Sequence, residues 1–147
     1  VSFRLTLDPR SYPVITEVGE NLHQGGLPNG LLPKYAAVIN LYGETTYRLQ
    51  DDTTYLLLEL QDRVDAQIDR ELMYVLADFV NLMRRRGPVL VHCQAGLNRS
   101  GLLCALSLMR GPEELHAHDA IEQLRRKRCV DVLCNPTFAD WLRSEAK

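Results

Sequence analysis

One stretch of the chain concentrates side chains able to do covalent chemistry: Val91-His92-Cys93-Gln94-Ala95-Gly96-Leu97-Asn98-Arg99-Ser100-Gly101. An apolar run leads into it and an apolar helical pattern follows. Strand, tight loop and helix in that order aim several backbone N–H groups and the positive end of a helix dipole at one point. Such a concavity binds a phosphate-like anion. The N–H groups are those of Gln94, Ala95, Gly96, Leu97, Asn98 and Arg99. Gly96 admits a backbone conformation that a Cβ would resist. Five residues separate Cys93 from Arg99, whose planar fork can hold two anion oxygens. The same field favours the thiolate of Cys93, the form that attacks phosphorus. Ser100 can donate a hydrogen bond to that sulfur and help it leave in a second step. His92 braces the loop and is not assigned proton transfer. Taken alone, Cys93 reads as an inert thiol at the end of a buried strand. Five residue types at fixed offsets across a strand-to-helix junction outweigh that reading.

The elements that must position this loop follow from patterning. Val14 to Val18 and Leu22 to Gln24 read as short strands, ended by Gly25-Gly26. Tyr35 to Leu41, Tyr55 to Leu60 and Pro88 to His92 read as buried strands. Leu72, Leu76, Phe79 and Met83 recur at helical spacing, with Asp65 or Asp69 as the cap and Gly87-Pro88 as the stop. A second, almost wholly apolar helix runs from Arg99 to about Met109 and belongs in the centre of the core. A third follows Pro112, with Leu115, Ile121 and Leu124 inward. A fourth has Asn135 as N-cap and Pro136 at its first position. Short apolar runs alternating with helices predict an α/β fold. The arginines at 84–86 and 125–128 read as solvated helix ends.

Composition sets outer bounds. The 147 residues suit one domain spanning 1–147, and 46% hydrophobic with 24% charged residues is an ordinary globular balance. A net charge of −2 leaves a nucleic-acid surface only as a local patch. No uninterrupted apolar run is long enough for a bilayer. Val1 to Thr6 alternate and carry Arg4, unlike a secretory signal. Cys93, Cys104, Cys129 and Cys134 form no C-x-x-C pair and read as reduced thiols of a cytoplasmic protein. His116 and His118, two apart, face different ways, so no metal site is expected there, and no cofactor is called for.

The loop resembles the His-Cys-x5-Arg-Ser/Thr signature of the protein tyrosine phosphatase superfamily, and most resembles its small dual-specificity group. Leu22-His23-Gln24-Gly25-Gly26, Val38-Ile39-Asn40-Leu41 and Asn135-Pro136-Thr137-Phe138 resemble that group's flanking elements. The resemblance implies a central, mainly parallel sheet flanked by helices. It implies two-step hydrolysis of phosphomonoesters on phosphorylated proteins, with Cys93 as nucleophile, Arg99 as clamp and Ser100 assisting the sulfur. The proton donor then belongs on the loop after Tyr55 to Leu60. Asp62, 31 positions before Cys93, has the spacing of dual-specificity enzymes; Asp65 competes but can instead serve as a helix cap. The loop lacks lysines, which points to phosphotyrosine and aryl phosphates. Gly96-Leu97-Asn98-Arg99 followed by Gly101 also resembles RNA 5′-phosphatases, the one reading with a nucleic-acid partner. A cysteine-bearing loop of this kind also fits a non-catalytic phospho-binding module or, less well, a rhodanese-like sulfur carrier. Cys93, Arg99 and Ser100 are all intact, which counts against the binding module, and residues 94 to 99 match the phosphatase pattern better than the rhodanese one.

Overall fold

The structure is a computed structural model that describes residues 12–145. The alternating segment Val1 to Thr6 lies outside them. Among the described residues, seven strands and four helices follow in the order β1 (Ile15–Gly19), β2 (Leu22–Gly25), β3 (Gly30–Leu31), β4 (Ala37–Asn40), β5 (Tyr47–Arg48), β6 (Thr54–Leu57), α1 (Arg70–Arg84), β7 (Val89–His92), α2 (Arg99–Arg110), α3 (Ala117–Lys127) and α4 (Pro136–Ser144). Five strands form one sheet in the order β1-β2-β7-β4-β6; β3 and β5 pair separately. Only β1 runs antiparallel to its neighbour in the main sheet. The mainly parallel α/β sheet expected from the sequence is therefore present.

The period-2 geometry of β7 divides the core. Val89 and Val91 join the cluster that holds the buried residues of all four helices, whereas Leu90 packs with Leu32, Tyr35, Val38 and Tyr47. The helices thus gather on one face of the sheet, and the segment carrying β3 and β5 covers the other. Every residue from Ser100 to Met109 of α2 is buried, as its apolar sequence predicts. Each fully buried leucine there contributes about 1.5–3 kcal/mol. That burial makes α2 a rigid base for the loop that precedes it. Among the described residues no helix is long and apolar enough to cross a membrane.

Several expectations need correction. β6 ends at Leu57 and lies at a sheet edge with Thr54 and Leu57 exposed, so it is not the buried strand that Tyr55 to Leu60 suggested. Tyr35 is buried but precedes its strand. The cap of α1 is Asp69, which accepts the Leu72 N–H; Asp65 instead pairs with Arg63. α3 starts at Ala117, leaving Leu115 before it. Two arginines read as solvated are buried. Arg84 binds Glu113 and the Glu20 carbonyl, and Arg128 is 6% exposed.

Candidate active site

The loop between β7 and α2 lies where the parallel strands end, in the middle of the sheet. β2 and β4 hold its entrance from both sides: Cys93 N–H donates to the Gly25 carbonyl at 3.2 Å, and Leu41 N–H donates to the His92 carbonyl at 2.9 Å. The loop carbonyls are then taken one by one by other segments. Gln94 O accepts from Leu27 N–H at 2.9 Å, Leu97 O from Leu133 N–H at 3.1 Å and Asn98 O from Leu102 N–H at 2.8 Å. Gly96 O accepts from Gln24 Nε2 at 3.1 Å and Arg128 Nε at 2.8 Å. In a trans peptide the N–H points opposite to its C=O. Carbonyls of 94, 96 and 97 turned outward therefore put the N–H groups of 95, 97 and 98 on the concave side. No backbone carbonyl among the described residues accepts from the N–H groups of 94–98.

Gly96 has φ +75°, and a Cβ there would stand 2.5 Å from Arg128 Nη2 and from the Gly26 nitrogen. The sequence expectation for this glycine matches the geometry. Cys93 is buried, with Sγ 3.3 Å from Ser100 Oγ. Gln24 Nε2 donates to the same hydroxyl oxygen at 3.3 Å, leaving the hydroxyl hydrogen free to point at the sulfur. His92 is fully buried. Its Nδ1–H donates to the Cys93 carbonyl at 3.1 Å, since a carbonyl can only accept, so Nε2 accepts the Tyr47 hydroxyl hydrogen at 2.6 Å. Burial pushes the His92 imidazole below the ordinary histidine range, against the raising effect of that backbone hydrogen bond. His92 is thereby a neutral brace, the role its position suggested.

Arg99 opens α2. Its Nη1 donates to the Leu60 carbonyl at 3.3 Å and its guanidinium lies 5.3 Å from the Tyr42 ring centroid. Its Nε is buried and has no acceptor among the described residues. Asp62, Arg63, Asp65, Cys134 and Asn135 wall a cavity of about 570 Å³ that also contains Cys93, Gln94, Ala95, Leu97, Asn98 and Arg99. Asp62 is exposed, and its two carboxylate oxygens accept from Asn98 Nδ2 at 3.2 Å and Asn135 Nδ2 at 2.9 Å. Asp65 also lines the cavity, bound to Arg63 at 2.9 and 3.0 Å. Of the residues singled out from the sequence, Asp62, Asp65, Cys93, Gln94, Ala95, Leu97, Asn98 and Arg99 line this pocket; Gly96 does not, and His92 and Ser100 are fully buried behind it. Among the described residues no group of three or more His, Cys, Asp or Glu could hold a metal ion. His116 and His118 are both exposed.

Sequence reasoning missed Gln24, Arg128 and Asn135 as supports of this site. Gln24 is fully buried within β2, and its place two residues after Leu22, on the same inward side of the strand, was a usable signal. Arg128 links Gly96 to Pro13 O at 2.9 Å, Thr16 Oγ1 at 2.8 Å and Val14 O at 3.2 Å, with its guanidinium 4.9 Å from the Tyr12 ring centroid. Within the run Arg125 to Arg128 only the helical spacing marks it: Arg128 falls four residues after Leu124 and seven after Ile121, on the inward face. Cys104 is buried and its thiol is pushed well above the ordinary range, first by burial and then by Cys93.

The profile of the dual specificity phosphatase catalytic domain matches residues 33–147. Dual specificity protein phosphatase 5 of Rattus norvegicus is 28% identical over 95 residues, covering 64% of this chain and 24% of that protein. Dual specificity protein phosphatase OPG106 of Vaccinia virus is 29% identical over 110 residues, 71% of this chain and 64% of that protein. The chain thus spans about a quarter of the rat relative it matches. The crystal structure of human DUSP28 is similar with a TM-score of 0.71 at 19% identity, covering 90% of this chain and 92% of that one, which is a likeness of fold. With the matching profile extending over most of the chain, from before β4 through α4, the protein belongs to the dual specificity phosphatase catalytic-domain family.

Proposed function

We propose that this protein hydrolyses phosphomonoesters on phosphorylated proteins, phosphotyrosine foremost, through a phosphocysteine intermediate, with residues 1–147 acting as one catalytic domain. The observation that carries this reading is the combination, around one sulfur, of loop N–H groups without backbone acceptors and a buried Arg99 Nε without a partner among the described residues. A phosphoryl group satisfies both sets of donors at once. Cys93 attacks phosphorus in line as thiolate; the S–P bond forms as the P–O bond to the leaving group breaks. Asp62, in its acid form, gives the leaving oxygen a proton. As a carboxylate it then takes a proton from water, which attacks phosphorus and breaks the S–P bond. Ser100 donates to the departing sulfur, and Arg99 with the N–H groups of 94–99 stabilises the equatorial oxygens. Four unbridged cysteines fit a reducing, cytoplasmic setting.

The test is a metal-free panel of phosphotyrosine and phosphothreonine peptides, phosphoinositides and triphosphate-ended RNA. Phosphotyrosine peptides are expected to lead. Cys93→Ser is expected to abolish turnover while retaining phosphate binding, and Arg99→Ala to lose both. Substantial turnover by Cys93→Ser would remove the reading. RNA processed far faster than any phosphopeptide would assign the RNA 5′-phosphatase branch.

A further inference from the structure

Asp62 is an exposed side chain on a segment without regular secondary structure, yet both of its carboxylate oxygens are held. The orientation of the two amides that hold it is dictated by their other partners. Asn98 Oδ1 accepts the backbone N–H of Asn135 at 2.8 Å, and Asn135 Oδ1 accepts that of Thr137 at 3.0 Å. An amide oxygen must face each of those donors, so each Nδ2 faces Asp62. One amide belongs to the phosphate loop; the other caps α4. The backbone beside Asp62 is fastened to the same helix end. Asn135 Nδ2 also donates to Arg63 O at 3.2 Å, and the Thr137 hydroxyl donates to Val64 O.

We propose that Asn98 and Asn135 are positioning residues for Asp62, a two-amide clamp that holds its carboxyl group over the phosphate loop before substrate arrives. The inference rests on Asp62 being the proton donor. A donor must come within about 2.6–3.2 Å of the leaving oxygen, a tolerance that a freely rotating surface carboxyl does not keep. Each carboxylate oxygen offers two lone-pair directions. The clamp occupies one on each oxygen and leaves the other for the transferable proton. It therefore holds the acid and the base form of Asp62 in one place, as successive use in both steps requires. Because Asn98 is a residue of the loop that binds the phosphoryl group, ordering the loop also sets the acid. The substitution Asp62→Asn would turn a new amide N–H toward one of these donors and open the clamp, so Asp62→Ala is the cleaner removal of the acid.

The experiment measures kcat/KM of the whole chain for a series of aryl phosphates, from nitrophenyl to phenyl, and reads its slope against leaving-group pKa. Asp62→Ala steepens the slope if Asp62 is the acid. Asn98→Ala is then expected to lower the phenyl-to-nitrophenyl rate ratio by about ten-fold or more, and to add nothing to the slope in the Asp62→Ala background. Asn98→Asp keeps an acceptor for the Asn135 N–H but sets a carboxylate against Asp62; it is expected to steepen the slope as well, and decides the matter should Asn98→Ala not fold. A slope steepened by Asp62→Ala but unchanged in both Asn98 variants overturns the clamp, because a merely structural role slows every substrate by one factor. No steepening by Asp62→Ala overturns the acid assignment itself.

Discussion

Replacing Gly96 by alanine isolates the contribution of loop conformation. The backbone there has φ +75°, where a Cβ costs about 1–2 kcal/mol in torsion alone. The added Cβ would also lie 2.5 Å from Arg128 Nη2, 2.5 Å from the Gly26 nitrogen and 2.6 Å from the Gly25 carbonyl carbon. Two of these three are backbone atoms at the end of β2, which is hydrogen-bonded in the middle of the sheet and cannot swing aside. Relieving such an overlap costs about 1–3 kcal/mol. The two effects together predict a loss of about 2–5 kcal/mol. With a urea m-value of about 2 kcal/mol/M, the unfolding midpoint falls by about 1–2.5 M. The shift that relieves the overlap also moves Gly96 O away from Gln24 and Arg128, so the loop N–H groups lose their common focus. Inorganic phosphate is expected to raise the midpoint of the parent protein and leave the variant unmoved. A variant within about 0.5 kcal/mol of the parent that still responds to phosphate would refute the account of the loop.

Arg128→Lys keeps the charge but cannot serve four separated acceptors. It is expected to destabilise by about 3 kcal/mol or more, through buried carbonyls left unmatched, as measured by urea unfolding; an effect below about 1 kcal/mol would count against the role given to this arginine. Burial holds His92 and His23 below the ordinary histidine range, against the opposing effects of the Cys93 carbonyl and of Glu17. In the unfolded chain both titrate near about 6.5, so below that pH the unfolded state binds protons that the folded state refuses. Stability is therefore full above this range and falls as pH drops beneath it, less steeply in His92→Gln; unfolding free energies at pH 7.5 and 5.5, about a unit to either side, check the sign. Cys104, buried and with its thiol pushed up, is expected to resist iodoacetamide in the native protein and react only on unfolding, which peptide mapping would show.

The loop between β7 and α2 was legible as a strand-to-helix turn because strand, turn and helix follow one another within one short segment, and the glycine marks the turn. The apolar runs likewise gave β4, β7 and α2 close to their observed bounds. What stayed hidden depends on contacts between distant residues. Arg84 and Arg128 have the same side chain as Arg85 and Arg126, which are exposed; they follow the buried Val80 and Leu124 by four residues, but the carbonyls and carboxylate that make burying a guanidinium tolerable come from distant segments. Asp62 could be placed on its loop by spacing, but nothing in its neighbourhood of sequence points to Asn98 or Asn135. Tyr55 to Leu60 reads as a buried run, yet it meets a neighbouring strand on one side only, and the pairing ends where β4 does.

The reach of Arg128 has a consequence for synthesis. One guanidinium joins the N-terminal strand, through Pro13, Val14 and Thr16, to Gly96 in the loop. Cys93 emerges from the ribosome well before Arg128, and the Leu97 carbonyl waits longer still for Leu133. Leu27 and Gln24, already synthesised, can take the Gln94 and Gly96 carbonyls, but until the late segment docks the Leu97 carbonyl and the second lone pair of Gly96 O have no partner. Contacts this remote in sequence form late and slowly. A chain that ends before Arg128 and Leu133 therefore lacks two of the hydrogen bonds that fix the loop around Cys93, and closing that loop depends on the C-terminal third of the polypeptide.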